Sequence, residues 1–328
     1  MGIPTAGFQT YQAKGIREDL SKLIFDISPE ETPMTKLCKK ATARNTKHEW
    51  QLDALDAHTA GNAHVQGDDS TGQTATPTVR AGNHTQILKK TVVVSRTLRS
   101  VDKAGREDEL TYQLDKRMRE IKRDLEATIT QNTAATAGSG ASAPTMAGAE
   151  SWLATNKATV GQTTANATTP GLDASAGYVQ VAPTDVTQGT LSETAVKNVI
   201  QLVWAAGGDP TVIMCAGTAK QKVSQSFTGI ATRQRDVPSK QQAQIIAGAD
   251  VYVSDFGVHT VVPNRFMRNR TLLILDPTYW GLAALDGFKM EKLAKTGDAD
   301  KFHIVGEYTL ECRNEKASGK VTDFDAAL

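Results

Sequence analysis

Four of the six histidines lie in one polar stretch, and histidine is a common metal ligand and general base near neutral pH. These four are His48, His58, His64 and His84. Zinc sites take their ligands at short spacings on rigid elements, whereas these four are widely and unevenly spaced. Asp68 and Asp69 could hold a cation, but a solvated turn is the better explanation of this pair. We therefore expect no metal site and no cofactor.

The motifs of the common enzyme classes do not occur in the sequence. There is no HExxH, no GxxxxGK[ST] loop, no dinucleotide GxGxxG and no GxSxG elbow. The three cysteines, Cys38, Cys215 and Cys312, are far apart and form no CxxC pair. This spacing disfavours a disulfide framework or a zinc knuckle, and it favours a reducing compartment. The sequence predicts no catalytic residues.

The composition is that of a soluble globular protein with almost no net charge. Lysine and arginine total 37 and aspartate and glutamate 36, which gives a net charge of +1 over 328 residues. A dedicated nucleic-acid binder would carry a basic excess. Met1–Ala6 has no basic or apolar signal segment, and no apolar run approaches the roughly 18 residues that span a bilayer. We expect a protein made in the cytoplasm, with no membrane partner.

The most unusual element is a long polar stretch, Ala41–Gln86. Between Gln51 and Gln86 the sizeable apolar side chains are only Leu52, Leu55, Val65 and Val79. So little apolar surface cannot offset the entropy that is lost when the segment becomes ordered by itself. The stretch is therefore either disordered or ordered against another copy of the chain.

A short amphipathic helix is predicted near the N-terminus, where apolar residues recur at helical spacing. These residues are Ile16, Leu20, Leu23, Ile24 and Ile27. Pro29 and Pro33 prevent the helix from continuing, and Thr32-Pro33 can open a second short helix. Helices of this length are marginal alone, so this one must dock on its own body or on a neighbour. Ile16, Leu20 and Ile24 are therefore candidate contacts between copies.

A long helix is predicted over Asp108–Asn132. One apolar line runs along it, formed by Leu110, Leu114, Met118, Ile121, Leu125 and Ile129. A single stripe indicates one buried side, with mixed-charge faces, Glu126 among them, exposed or meeting partners. An ordinary core helix would give the same pattern. The candidate contacts between copies on the charged side are Arg117, Glu120, Arg123 and Asp124.

The stretch Ala134–Gln188 is rich in Ala, Thr, Gly and Ser and divides the chain into two halves. Only Trp152, Leu153 and Tyr178–Val181 suggest local order there. A second folded region follows, beginning with a helix over Ala195–Val203 that Thr190 and Glu193 open as a capping box. Gly207-Gly208 ends this helix. Strands are predicted at Thr211–Cys215, Val251–Val253, Val258–Val262, Leu272–Leu275 and, from strict alternation, Phe302–Leu310.

Several segments together resemble the major head proteins of tailed bacteriophages. In chain order they are Ile16–Ser21, Asp26–Pro29, Thr32-Pro33, Trp204–Gly208, Asp255–Gly257, Leu275-Asp276, Leu293–Asp298, Val305–Glu311 and Asn314–Ala317. Because the matches keep the same order from about residue 16 to residue 323, the resemblance is more specific than any one motif. It implies an α+β fold of the Hong Kong 97 (HK97) type, with an N-terminal arm, an extended loop, a peripheral domain with a spine helix, and an axial domain.

The resemblance also implies where each part lies in the chain. We expect the N-terminal arm at 1–46, the extended loop at 47–90, the peripheral domain with the spine helix at 91–135, an Ala/Gly/Thr-rich insertion or connection at 136–189 that is exposed on one capsid surface, the axial domain at 190–270, and the return to the axial and peripheral sheet at 271–328.

A protein of this family is expected to self-assemble as pentamers and hexamers into an icosahedral head around double-stranded DNA. Its expected partners are other copies of itself, a separate scaffolding protein, a portal and, as an option, a cement protein, with weak non-specific contact to the packaged DNA. It would be assembled in the host cytoplasm and reside in the virion capsid. Because the loop has no lysine between His48 and Leu88, we expect no loop-mediated covalent cross-links. Arg80, Asp68 and Asp69 are its candidate contacts.

Two other classes of protein stay open. A tail-tube or other self-assembling virion protein also needs loops that become ordered on neighbours, although the long helix and the terminal strand favour the head. An enzyme with a mobile lid would need clustered titratable groups, and the sequence does not offer them.

Overall fold

The computed structural model describes residues 30–67, 69, 72, 75–101, 108–161, 171–227, 250–295 and 297–326. The α-helices in these ranges are α1 Pro33–Leu37, α2 Arg96–Ser100, α3 Glu109–Thr130, α4 Ala149–Trp152, α5 Glu193–Ala205 and α6 Gly217–Phe227. The strands are β1 Lys39–Thr42, β2 Lys47–Leu52, β3 Val79–His84, β4 Gln86–Ser95, β5 Lys157–Thr159, β6 Gly189–Thr190, β7 Val212–Cys215, β8 Val251–Ser254, β9 Gly257–Pro263, β10 Thr271–Leu275, β11 Trp280–Lys292, β12 Ala299–Cys312, β13 Gly319–Thr322 and β14 Phe324–Asp325. The helix predicted around Ile16–Ile27 lies outside the described residues.

Two larger sheets organise the fold. One has the strand order β1-β11-β12-β4, and the other has the order β5-β13-β10-β7-β9-β8. The predicted strand near the C-terminus is confirmed as β12, which pairs antiparallel with β11 on one side and β4 on the other. Its neighbour β11 was not predicted, because register shifts between Ala284 and Lys289 interrupt the alternation that marks a strand.

The long helix is confirmed as α3, within two residues of the predicted bounds at each end. Asp108 caps it by accepting a hydrogen bond from the Leu110 N–H at 3.2 Å. The predicted stripe is buried at Leu110, Ile121, Leu125 and Ile129. Helix α3 lies against β4, at one border of the four-stranded sheet.

Helix α5 packs on the six-stranded sheet, with Val199 and Val203 fully buried. The predicted capping box was wrong. Ser192 is the N-cap, and its hydroxyl accepts a hydrogen bond from the Ala195 N–H at 3.2 Å. Thr190 cannot cap the helix because β6, to which it belongs, continues the extended pairing with β14. The helix ends as predicted, with Gly207 in a left-handed conformation at φ 87°.

Part of the stretch 134–188 belongs to the core, so our expectation that it is exposed was wrong there. Met146, Ala147, Ala149 and Leu153 are 0% exposed, and Trp152 is 1% exposed. The stretch lacks periodicity because side chains elsewhere fix its backbone. The Asn83 amide, for example, accepts from the Ala147 N–H at 2.9 Å and donates to the Ala147 carbonyl at 3.2 Å.

One continuous apolar core joins both sheets, α3 and this stretch. Strand β4 begins at Gln86 and so crosses the division that we expected at residue 90. The assignment of residue ranges to arm, loop and domains stays a prediction. Within the described ranges, none of the helices is long and apolar enough to cross a membrane.

Candidate assembly surfaces

The polar stretch that we predict to be the extended loop begins and ends in a two-stranded hairpin. Strands β2 and β3 pair antiparallel from Lys47 opposite His84 to Leu52 opposite Val79. Beyond the hairpin, residues 53–67 are exposed, with Leu55 100% and Val65 78% exposed. An isolated two-stranded hairpin is marginal in water, so contacts at its base must hold it.

Aromatic side chains from the stretch 134–188 support the base of the hairpin. Trp50 of β2 packs on Trp152 with ring centroids 5.5 Å apart. On the other face, His84 meets Tyr178 edge-on at 4.8 Å. The Lys47 ammonium donates to the Ala176 carbonyl at 3.1 Å and lies 5.3 Å from the centre of the Tyr178 ring. The buried stretch therefore fixes the direction in which the loop leaves the body.

Charges at the hairpin base are paired within the chain. Glu49 accepts from Lys47 at 2.9 Å and from Arg80 at 2.7 Å. The hydrogen bond from Lys47 is the main reason that the pKa of Glu49 lies below its ordinary value. Burial, and then the charge of Lys47, lowers the pKa of His84. Arg80, a candidate contact, is thus bound in its own subunit, although its side chain is 73% exposed.

The candidate residues of α3 also have partners within the chain. Arg117 pairs with Glu120 at 2.5 Å, and Asp124 pairs with Lys90 of β4 at 2.7 Å. The Arg123 guanidinium lies 5.7 Å from the centre of the Phe266 ring. Their contacts with other copies stay predictions. Ile16, Leu20, Ile24 and Asp68 lie outside the described residues, and Asp69 is exposed on the loop.

The start of α1 is held by the buried carboxylate of Glu126. Its Oε1 accepts from the Met34 N–H at 2.7 Å and from the Asn264 amide at 2.6 Å. Its Oε2 accepts from the N–H and the hydroxyl of Thr35, at 2.8 and 2.6 Å. These four bonds compensate the loss of water around the charge. Our prediction of Glu126 on the exposed side of the helix was wrong, and the residue instead holds the start of α1.

A second buried carboxylate, Glu150, joins the stretch 134–188 to the six-stranded sheet. It accepts from the Thr271 hydroxyl at 2.9 Å and from the Arg268 guanidinium at 3.2 Å. Arg268 also binds Asp185, at 2.5 Å. Burial raises the pKa of Glu150, while Arg268 and Lys320 oppose the shift. Sequence patterns did not predict this network, because its members are far apart in the chain.

Lys320 completes this network from strand β13. Its ammonium donates to the Glu150 carbonyl at 2.7 Å, and the residue is 2% exposed. Burial lowers the pKa of Lys320 from its ordinary 10.5 to about 8. Close by, Arg270 binds Asp323 at 2.5 Å. Together these pairs fix segments that have no regular secondary structure.

One pair of side chains has a geometry that occurs in catalysis. The Ser254 hydroxyl lies 2.7 Å from His259 Nε2, and His259 Nδ1 lies 2.5 Å from the Pro210 carbonyl. Because His259 is 1% exposed and uses both nitrogens, the pair stabilises the β8–β9 hairpin. The histidines of the polar stretch do not converge, and the described part of the chain has no group of three His, Cys, Asp or Glu that could hold a metal.

Solved structures with a similar arrangement include capsids. The native GTA particle capsid aligns with a TM-score of 0.63 and 12% identity, covering 96% of this chain and 98% of that chain. The cyanophage A-1(L) capsid aligns with a TM-score of 0.61 and 11% identity, covering 96% and 98%. The fold is therefore the HK97-type capsid fold, and the predicted α+β class is confirmed.

The sequence itself gives the family. Residues 4–325 match the model of the SU10 major capsid protein family, and the chain belongs to this family. The major capsid protein of Escherichia phage Phieco32 is 28% identical over 343 residues, covering 97% of each protein. The predicted resemblance is confirmed: the chain is a phage major capsid protein, a structural component of the virion.

Proposed function

We propose that the chain assembles as pentamers and hexamers into an icosahedral head that encloses double-stranded DNA. The extended loop supports this proposal most directly, since residues 53–67 are all exposed and include the apolar side chains of Leu55 and Val65, at 100% and 78% exposure. Such a side chain gains nothing in the free subunit, but a neighbouring copy can bury it. A contact between the loop of one copy and a different surface of the next copy is heterologous. Repeated contacts of this kind form a closed ring when the rotation from one subunit to the next adds up to a full turn.

The surface that receives the loop is the peripheral domain of the next copy. On its four-stranded sheet, Val92 and Val94 of β4 face α3 and are buried. Ile87 and Val93 face the opposite side, where they are 54% and 56% exposed. A loop laid across this face would cover apolar surface on both partners.

The function is assembly, without catalysis. The partners are further copies of the chain, a separate scaffolding protein, a portal, and cement proteins where the shell needs them. Assembly takes place in the host cytoplasm. A net charge of +1 suits a shell wall that does not grip the packaged DNA, because tight binding to phosphates requires many cations.

Electron microscopy of the full chain, expressed alone and together with its neighbouring genes, tests this proposal. Closed shells or free pentamers and hexamers, with matching mass by light scattering, are the expected products. Long stacked rings would instead identify a tube protein. A monomer under every condition, including with the neighbouring genes, would contradict the proposal.

Deletion of residues 61–74 should abolish shells and leave a soluble subunit. The described residues of this segment are exposed, so the core of the subunit loses nothing. Shell yield by sedimentation and the thermal unfolding of the subunit measure the two effects separately. A Gly-Ser segment of equal length is the matched control, because it restores the length of the loop without its side chains. Normal shells from the deletion variant would show that the loop is dispensable.

A further inference from the structure

The base of the arm carries an uncompensated basic surface, which we call the basic edge. It consists of Lys36, Lys39, Lys40 and Arg44, and all four are exposed. No acidic residue occurs in the sequence between Thr32 and His48. Among the described residues, none of these four side chains is in an ion pair.

The basic edge lies along β1, which forms one border of the four-stranded sheet in the described chain. β1 is paired on one side only, in parallel with β11, through Lys39 opposite Gly281. The carboxylate nearest in register is Glu311, opposite Gly281 on the next strand. Glu311 is already bound by the Arg313 guanidinium through two bonds of 3.1 Å. The positive charge of the edge is therefore available to a partner.

The tip of the extended loop has the opposite charge. From Trp50 to Val79 the sequence contains no lysine or arginine, and we call the two aspartates just past the hairpin, Asp53 and Asp56, the acidic tip. Asp53 and Asp56 are exposed on either side of the fully exposed Leu55. Glu49, at the base, is neutralised by Lys47 and Arg80, whereas no ion pair within the described chain engages Asp53 or Asp56.

We propose that the acidic tip of one copy docks on the basic edge of an adjacent copy. The inference rests on the proposed function and adds the surface that receives the tip. Strand β2 spans six residues, about 20 Å, so Asp53 and Asp56 lie farther than the Debye length of roughly 8–10 Å from the start of the hairpin at Lys47, which follows the basic edge. Within the described chain no ion pair joins the two groups of charges. A loop that crosses the neighbour's sheet from β4 would reach β1 at its far border.

Exposed charges of opposite sign chiefly steer association and set its register. Assembly of the full chain should therefore slow as salt rises from about 50 to about 500 mM, because the Debye screening length becomes about threefold shorter over this range. Charge reversal provides the specific test. The variants are Lys39→Glu with Lys40→Glu, Asp53→Lys with Asp56→Lys, and the combination of all four changes. Lys→Gln and Asp→Asn at the same positions are the neutral controls.

Each reversed pair should slow shell formation at low salt by about tenfold or more, and the combined variant should recover most of the rate. Light scattering follows the rate, and thermal unfolding checks that each subunit is folded. If the wild-type chain forms shells but the combined variant does not recover, the docking of the tip on the basic edge is contradicted and the proposed function is not. If the lysine variants form shells at the normal rate but those shells retain less DNA, the basic edge contacts packaged DNA and not a neighbouring copy. A wild-type chain that never forms shells would overturn the proposed function as well.

Discussion

The extended loop and the stretch 134–188 are both rich in small polar residues, yet their surroundings are opposite. Leu55 in the loop is 100% exposed, whereas Leu153 in the stretch is 0% exposed. Beyond the hairpin, residues 53–67 of the loop are exposed. The stretch is enclosed by α3, the hairpin base and the six-stranded sheet. Composition alone therefore does not distinguish a segment that is exposed in the subunit from one that belongs to the core.

The difference arises from buried polar anchors. Glu150, Lys320 and Asn83 bind the backbone or side chains of the stretch and its neighbours, so an irregular segment becomes fixed. Past the base of the loop, residues 53–67 are all exposed, so no buried side chain of this kind is found among them. Mutations that remove an anchor should destabilise the subunit, and mutations in the loop tip should affect only assembly.

The largest expected effect comes from Trp152→Ala. Trp152 is 1% exposed and packs on Trp50, so its loss should reduce the free energy of unfolding by about 3–5 kcal/mol. Urea unfolding of the unassembled subunit measures this. Trp204→Ala is the matched control, because Trp204 is 58% exposed and should cost far less. Equal losses in the two variants would show that the stretch is not part of the core.

Glu150→Gln should have the next largest effect. The change removes the negative charge that faces Arg268, so we expect the free energy of unfolding to fall by about 2–3 kcal/mol. The loss is limited because Arg268 still pairs with Asp185. Asp185→Asn is the control, since this carboxylate is 44% exposed and its loss should matter little. The same urea titration serves both variants. A Glu150→Gln subunit as stable as the wild type would argue against an anchoring role.

The pH dependence of stability should report Lys320. Its pKa is about 8 in the folded subunit and about 10.5 when unfolded, so between these values the unfolded chain binds more protons. The free energy of unfolding should therefore rise with pH across this window, by on the order of 3 kcal/mol, relative to Lys320→Met. Burial raises the pKa of the Cys38 and Cys215 thiols to about 12, which acts in the opposite direction in both proteins and cancels in the difference. Parallel curves for the two proteins would contradict the burial of a charged lysine.

Local patterns were enough to predict some of the regular elements, α3 and β12 among them. The apolar spacing of α3 lies within one helix, and the alternation of β12 lies within one strand, so both were found. The anchors were not found, because Glu126 is 92 residues from Met34 and 138 from Asn264 along the chain. A carboxylate in a mixed-charge helix gives no local sign that four donors will meet it.

The assembly surfaces were predicted only in part. Low apolar content showed that the loop cannot order itself alone, and the resemblance to phage head proteins supplied the kind of partner. The basic edge was missed because its lysines are ordinary in sequence. They become distinctive only when β1 is placed at the border of a sheet, with Glu311 already bound by Arg313.

The smallest expected effect on the subunit comes from Leu55→Ala in the loop. Since Leu55 is fully exposed, the free energy of unfolding should stay within about 0.5 kcal/mol of the wild type. Leu153→Ala is the matched change in the stretch and should cost about 2–5 kcal/mol, because that side chain is 0% exposed. Shell yield should show the reverse sensitivity at Leu55, since the neighbour loses the apolar side chain that it would cover. A Leu55→Ala chain with normal stability and normal shell yield would mean that charge alone, without apolar burial, holds the tip of the loop on its neighbour.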